Sequence, residues 1–389
     1  MPKRAIILAS SLGLAALALL SYGAAGQNAS NGDRVHVAAY YFPAWHSDPL
    51  RFPGDSGEWP ALKNAKPRFA GQQQPKVPLW GYQNESDPAV MAQKIEAAVD
   101  NGVSVFLFDW YRHDRGSWKG PALESALNDG FLKAKNRSKM KFALMWANHE
   151  TADSPGPITR EGFETMTDHI VSDFFSSSSY WTIDGRCYFS VYLLTNLIEG
   201  LGGIEQTREA LDSFRKKTIA AGHRGLFLNV IDFGIPKGSP DLLKQLGADS
   251  VTSYVWVHKI HLDSFPKTDY QLTGNRYFEY WDTHKNDYGI PYFPNVTTGW
   301  DPTPRVPASK PYDGKSGYPN TPVLWDNSVG KFRSALEAAK TRALTLPPGQ
   351  RVVTIYAWNE WTEGGYLEPD TVDKMSYLNA VRDVFASQS

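Results

Sequence analysis

The sequence predicts a single-domain α/β protein, a (β/α)8 TIM barrel. Three observations carry that reading. Short apolar, β-branched runs alternate with stretches of helical spacing, eight times in about 350 residues; the alternation implies a parallel sheet and the count a closed barrel. An open doubly wound sheet is the alternative, but it carries a Gly-rich phosphate turn after an early strand, and the sequence has none. Nearly every run ends in aromatics with an amide or an acid, where eight solvated loops would be richer in Lys, Glu, Ser and Gly.

The first strand is expected over 35–41, followed by a polar and aromatic excursion to Gln83. Ser86 or Asp87 caps a helix to Val99, which Asn101-Gly102 ends with Gly as the left-handed cap. A strand over 103–108 stops in Asp109-Trp110-Tyr111, and a helix covers 121–134. The strand over 141–146 leads into Ala147-Asn148-His149-Glu150. The next helix, 160–175, has Phe163, Met166, Ile170 and Phe174 or Phe175 at helical spacing. Strands over 187–193, 226–231, 250–255, 291–296 and 352–356 follow, with helices over 206–221, 241–246, 275–286, 327–344 and 372–385. Residues 265–325, rich in Pro and Gly, read as long loops of the same barrel.

Composition narrows the function classes. The chain has 389 residues, 42% hydrophobic and 21% charged, which suits one large globular domain or two medium ones. Forty basic residues balance 41 acidic ones, so no charge excess points to nucleic acid or an anionic membrane. Aromatics are the outlier, with Trp 13, Tyr 19 and Phe 19, enough for a core and for stacking on sugar rings. Residues 1–26 read as a signal peptide: Lys3 and Arg4, an apolar run from Ala5 to Leu20, then small residues. An uncleaved anchor is the alternative, although the run is short for a span. The barrel then occupies 27–389, secreted or periplasmic, free of the membrane after cleavage and a monomer. The lone Cys187, in an apolar run, reads as a buried small hydrophobe. No metal or cofactor is expected: histidines show neither H-E-x-x-H nor H-x-H spacing, and His149 with Glu150 is the one metal alternative. A G-x-S-x-G elbow and a Walker loop are both missing.

The chemistry concentrates in Arg351 to Asp370. An apolar strand stops and at once presents Glu360 and Glu363 among tryptophans. Glycoside cleavage needs an acid to protonate the leaving oxygen and a second group to supply or activate the nucleophile. Two close carboxylates push their proton affinities apart and can divide those tasks. Glu368, beside Pro369, reads as a loop anchor. The barrel face gathers the substrate-binding candidates: Tyr41, Trp45, Asp109, Trp110, Tyr111, Trp146, Asn148, His149, Tyr254, Trp256, Trp300, Asp301, Trp358 and Asn359.

The blocks AAYYFPAWHSDP, EWPALKNAKPRFAGQQQPKVPLWGY, FLFDWYRHD, FALMWANHE, GWDPTPR and AWNEWTEGGYLEPD carry a resemblance. Across residues 35–386 the chain resembles the family-99-like glycoside hydrolases, related to endo-α-mannosidases and endo-α-mannanases. Some members carry an older label as polysaccharide-biosynthesis glycosyltransferases. The resemblance implies a (β/α)8 barrel. It also implies that Glu360 is a base toward the substrate's 2-hydroxyl, whose oxygen attacks the anomeric carbon, with Glu363 as general acid/base and net retention. The chain departs from the mannosidase branch at Thr362, where those enzymes have His, and at Gly365-Tyr366. That departure opens the sugar more than the mechanism. Glu58 and Trp59 either touch sugar or anchor a loop over the barrel mouth. The expectation is a secreted retaining glycoside hydrolase acting on a polysaccharide or glycan, with an α-mannoside among the candidates. The alternatives are a non-catalytic glycan-binding protein and a glycosyltransferase.

Overall fold

The computed structural model describes residues 34–385 apart from 49–50, 53, 55, 115–118, 151–155 and 236–238. The expected signal segment lies outside the described residues, among which no helix is long and apolar enough to cross a membrane.

The chain folds as the expected barrel. Its strands are β1 (His36–Tyr41), β2 (Val105–His113), β3 (Lys141–Trp146), β4 (Arg186–Val191), β5 (Leu226–Ile231), β6 (Ser250–Thr252), β7 in two pieces (Tyr292–Phe293 and Asn295–Thr297) and β8 (Val352–Tyr356). Barrel neighbours pair in parallel, and β1 lies between β8 and β2. The ring is completed through β7. Pro294 has no N–H to give a ladder, and the strand changes partner there. Tyr292 and Phe293 pair with Val251 and Thr252 of β6, whereas Asn295 to Thr297 pair with Thr354 to Tyr356 of β8. Parallel strands covered by helices are apolar on both faces, and every residue of β5 and β8 is buried. The interior is filled: Tyr40 of β1 reaches across the barrel and donates to the Ser253 carbonyl at 3.3 Å.

Helix starts follow the caps. Asp87 accepts from Ala89 N at 2.8 Å, with Pro88 in the first turn, and starts Pro88–Asp100. Asp269 accepts from Leu272 N at 2.7 Å, so Tyr270–His284 begins earlier than the expected residue 275. The last helix, Ser376–Phe385, begins later than residue 372, because Asp370 holds Val372 N and Asp373 N in a side-chain turn. The helix expected over 121–134 shrinks to a wide turn, Ala126–Phe131. β2 runs on to His113 and pairs antiparallel with Gly120–Ala122, which consumes the residues before it. Gly130 in that turn lies against the Glu85 carbonyl, where a Cβ would come within 2.1 Å. A further helix, Leu194–Leu201, follows β4 without having been expected. Cys187 is buried as expected, which pushes its thiol up to about 12.

Candidate active site

The C-terminal ends of the strands surround a cavity of about 1050 Å³. Which side chains face it follows the two-residue alternation of a strand. In β2, Asp109 and Tyr111 line the wall while Trp110 points away, its Nε1 donating to Glu124 Oε1 at 2.7 Å and its ring stacked on His169. At the end of β3 and just beyond it, Met145, Ala147 and His149 line the wall. Trp146 packs instead on Phe163, and Asn148 exchanges bonds with the Leu193 backbone at 2.7 and 2.8 Å. After β1, Phe42 faces the cavity and Tyr41 packs on Phe106 and Phe108.

Several expected sugar contacts therefore belong to the framework. Trp45 packs tilted against Trp59, ring centres 4.1 Å apart, and donates to the Asn359 carbonyl. Trp256 is enclosed by Tyr270 and Tyr277 and donates to the Asn295 carbonyl. Trp358 packs on Phe106. Asn359 bonds both backbone groups of Phe42 and the Glu85 carboxylate. Asp301 turns into a neighbouring cleft and is held by Gln72, Gln74 and Thr303. A buried indole has one N–H to satisfy and a large ring to pack; Trp45 and Trp256 meet both needs inside the protein, and Trp358 is held by ring packing. Trp59 is likewise a loop anchor, buried, with its Nε1 on the Gln83 carbonyl. The wall keeps Asp109, Tyr111, His149, Tyr254 and Trp300 from the expected set, together with Glu360 and Glu363.

Arg305 organises the charge. It lies in the short turn Thr303–Arg305 after β7, its guanidinium 5.3 Å from the centre of the Phe42 ring. One Nη binds Glu360 Oε1 at 2.7 Å and Glu58 Oε2 at 2.9 Å. The other binds Glu363 Oε1 and meets the Tyr318 hydroxyl at 2.5 Å. Tyr318 also donates to Glu363 Oε1 at 2.6 Å, and Tyr356 donates to Glu363 Oε2. Thr362 donates to Glu58 Oε2, so the residue that departs from the mannosidase motif orients a carboxylate beside Glu360 and Glu363. Arg305, Tyr318 and Tyr356 escaped the sequence reading. A lone Arg in a Pro-rich loop signals nothing by itself; its place after β7, opposite the β8 loop, was the available hint.

Burial, chiefly, raises the proton affinity of Glu360 well above the usual carboxylate range; Glu363, Glu58 and Asp109 add to this and Arg305 opposes it. Asp109 is likewise pushed up by burial, against its 2.7 Å bond from Tyr254 across the barrel mouth. His149 is lowered to about 4 by burial and then by Arg51 and Arg305, so it is neutral at pH 7. His258 is lowered to about 3, mainly by burial.

The family model described as glycosyltransferase WbsX matches residues 37–381. The chain belongs to that family. It is 23% identical over 374 residues to an uncharacterized protein, WxcX, of Xanthomonas campestris pv. campestris. That match covers 89% of the chain and 49% of WxcX, so the chain spans about half the length of the curated relatives it matches. Among solved structures, it shares the fold of the GH99 endo-α-mannosidase from Bacteroides thetaiotaomicron, with TM-score 0.58, 15% identity and coverage of 90% and 96% of the two chains. A glycoside hydrolase-like protein superposes with TM-score 0.60 at 14% identity, covering 92% of this chain and 95% of the other.

Proposed function

We propose that this WbsX-family member is a retaining glycoside hydrolase acting on a polysaccharide or glycan outside the cytosol, with residues 1–26 as its export signal. The carrying observation is that Glu360 and Glu363 meet in one aromatic-walled cavity on a single guanidinium. In this reading Glu360 takes the proton of the substrate's 2-hydroxyl as that oxygen attacks the anomeric carbon, and Glu363 protonates the leaving oxygen. Glu363 then takes a proton from the water that opens the resulting three-membered ring, and Glu360 returns its proton to the 2-oxygen. A carboxylate whose proton affinity is raised by burial is a stronger base toward a hydroxyl, which suits Glu360. The acid separation rule for glycosidases does not bear here, since the substrate supplies the nucleophile. An α-mannoside is the substrate suggested by the fold likeness, with Thr362 the reason to test other sugars.

The family's description favours a second reading, glycosyl transfer. Its donor would be a nucleotide diphosphate sugar, and the wall's charge opposes one. Glu58, Asp109, Glu150, Asp263, Glu360 and Glu363 line it against Arg51 and Arg305, and Arg305 is already held by three carboxylates. The discriminating experiment incubates purified protein with a panel of neutral polysaccharides, with and without nucleotide-sugar donors. Hydrolysis without donor is expected. At matched folding, Glu363→Gln loses about 10²–10⁴-fold in rate and recovers on an aryl glycoside whose leaving group needs no proton, whereas Glu360→Gln does not recover. Equal rates for wild type and Glu363→Gln would sink the acid assignment; donor-dependent transfer alone would establish the second reading.

A further inference from the structure

Behind the catalytic loop, on the side away from the cavity, lies a second ionic cluster. Lys94, on helix Pro88–Asp100, is enclosed between Glu85 and Glu368, and the three side chains are 1%, 0% and 3% exposed. Its ammonium binds Glu85 Oε1 at 2.6 Å and the Glu368 carboxylate. Each acid then holds one residue flanking Glu360. Glu85 Oε1 accepts from Asn359 Nδ2 at 2.8 Å, and Glu368 Oε2 accepts from Trp361 Nε1 at 2.8 Å. Asn359 and Trp361 are fully buried, with their side chains bonded on the Lys94 side, while Glu360 between them binds Arg305 on the cavity side.

We infer that Lys94, Glu85 and Glu368 form a positioning clamp that holds the backbone on both sides of Glu360 and so aims its carboxylate at Arg305 and the substrate. The helix supplies one fixed point, and the two acids turn it into two tethers placed one residue to either side of Glu360. A free β8 loop would leave that carboxylate several rotamers and no fixed distance to the reacting hydroxyl. Such loosening is costly, because misplacement by about 1 Å can lower a rate about 10²-fold.

The role assigned to Glu360 rests on the hydrolase reading; the clamp itself is a geometric claim and is tested by coordinates as well as rates. Crystal structures of wild type, Glu368→Leu and Glu368→Gln are compared, with kcat and KM measured on any glycan the wild type cleaves. Glu368→Leu removes the acceptor for Trp361 Nε1, whereas Glu368→Gln keeps an acceptor there. The expected result is that Glu368→Leu shows the 360–362 backbone shifted and the Glu360–Arg305 contact broken, with kcat down about 100-fold and KM little changed. Glu368→Gln restores the contact and most of kcat. A Glu368→Leu protein with the Glu360–Arg305 contact and kcat of the wild type overturns the inference. Should Glu368→Leu not fold, Trp361→Phe, which removes the same N–H, is judged by the same contact. An inert wild type would count against the hydrolase reading and leave the clamp to be decided by the coordinates.

Discussion

The β8 loop separates two ionic clusters built from the same parts. In front, Arg305 holds Glu58, Glu360 and Glu363; behind, Lys94 holds Glu85 and Glu368. In each, burial raises one glutamate and a cation opposes the rise: Glu360 in front, and Glu85, pushed up to about 7, behind. The difference is access. Arg305 is 20% exposed at the edge of a large cavity, whereas Lys94 is 1% exposed. A cluster open to a cavity can exchange its partners for a ligand, and a closed one cannot. Under the proposed function the front cluster is the one that titrates and reacts, and the rear one holds still.

That contrast is tested most forcefully by removing each cation. Lys94→Met leaves two carboxylates sealed from water and is expected to cost about 3–5 kcal/mol, as breaking a buried pair does. Arg305→Met uncovers one buried acid, Glu360, but its other two partners, Glu58 and Glu363, lie partly exposed at the cavity, so it is expected to cost less, about 1–3 kcal/mol. Urea denaturation of both variants measures the difference. Similar losses would show that the two clusters are not distinguished by access.

How much of this was legible in the sequence depends on the residue. The barrel was, because β-branched runs and capped helices alternate with little competition. The pair Glu360 and Glu363 stood out as acids crowded among tryptophans at a strand's end. The wall was harder to read. Strand alternation separates Asp109 and Tyr111 from Trp110, but it fails past the strand end, where the turn Trp256–His258 sends Trp256 inward to Tyr277 and leaves His258 in the wall. Tryptophan misled most, since Trp45, Trp110, Trp146, Trp256 and Trp358 all serve packing. Arg305 and Lys94 were invisible because a cation's role depends on which acids fold against it, and those lie up to 274 residues away in the chain.

A pH profile sharpens the front half of the comparison. In the proposed reaction Glu360 is a base only when ionised, and its folded proton affinity is raised, chiefly by burial. Activity should therefore be lost as pH falls through a value above the ordinary carboxylate range of about 4. Arg305 opposes that rise, so Arg305→Met should move the acid limb of kcat/KM to still higher pH. A limb at the ordinary carboxylate value in wild type, or one that Arg305→Met moves downward, would contradict the electrostatic picture of the cavity.

The smallest expected effect separates wall from framework within one short segment. Tyr254 and Trp256 are two residues apart, and both were expected to meet substrate. Tyr254 lines the cavity and donates to Asp109 Oδ2 at 2.7 Å, whereas Trp256 is fully buried with its Nε1 on the Asn295 carbonyl at 3.0 Å. Tyr254→Phe removes one hydroxyl that orients a carboxylate in the wall. It should weaken substrate binding by about 1 kcal/mol, roughly a fivefold rise in KM, with kcat little changed. Trp256→Phe removes a bond that never meets solvent or ligand, so it should lower thermal stability by a similar energy and leave KM alone. Steady-state kinetics and thermal unfolding on the two variants decide it. If Trp256→Phe raises KM at full folding, the framework side of the β6 end also shapes the site, and the boundary drawn through this segment by its hydrogen bonds is in the wrong place.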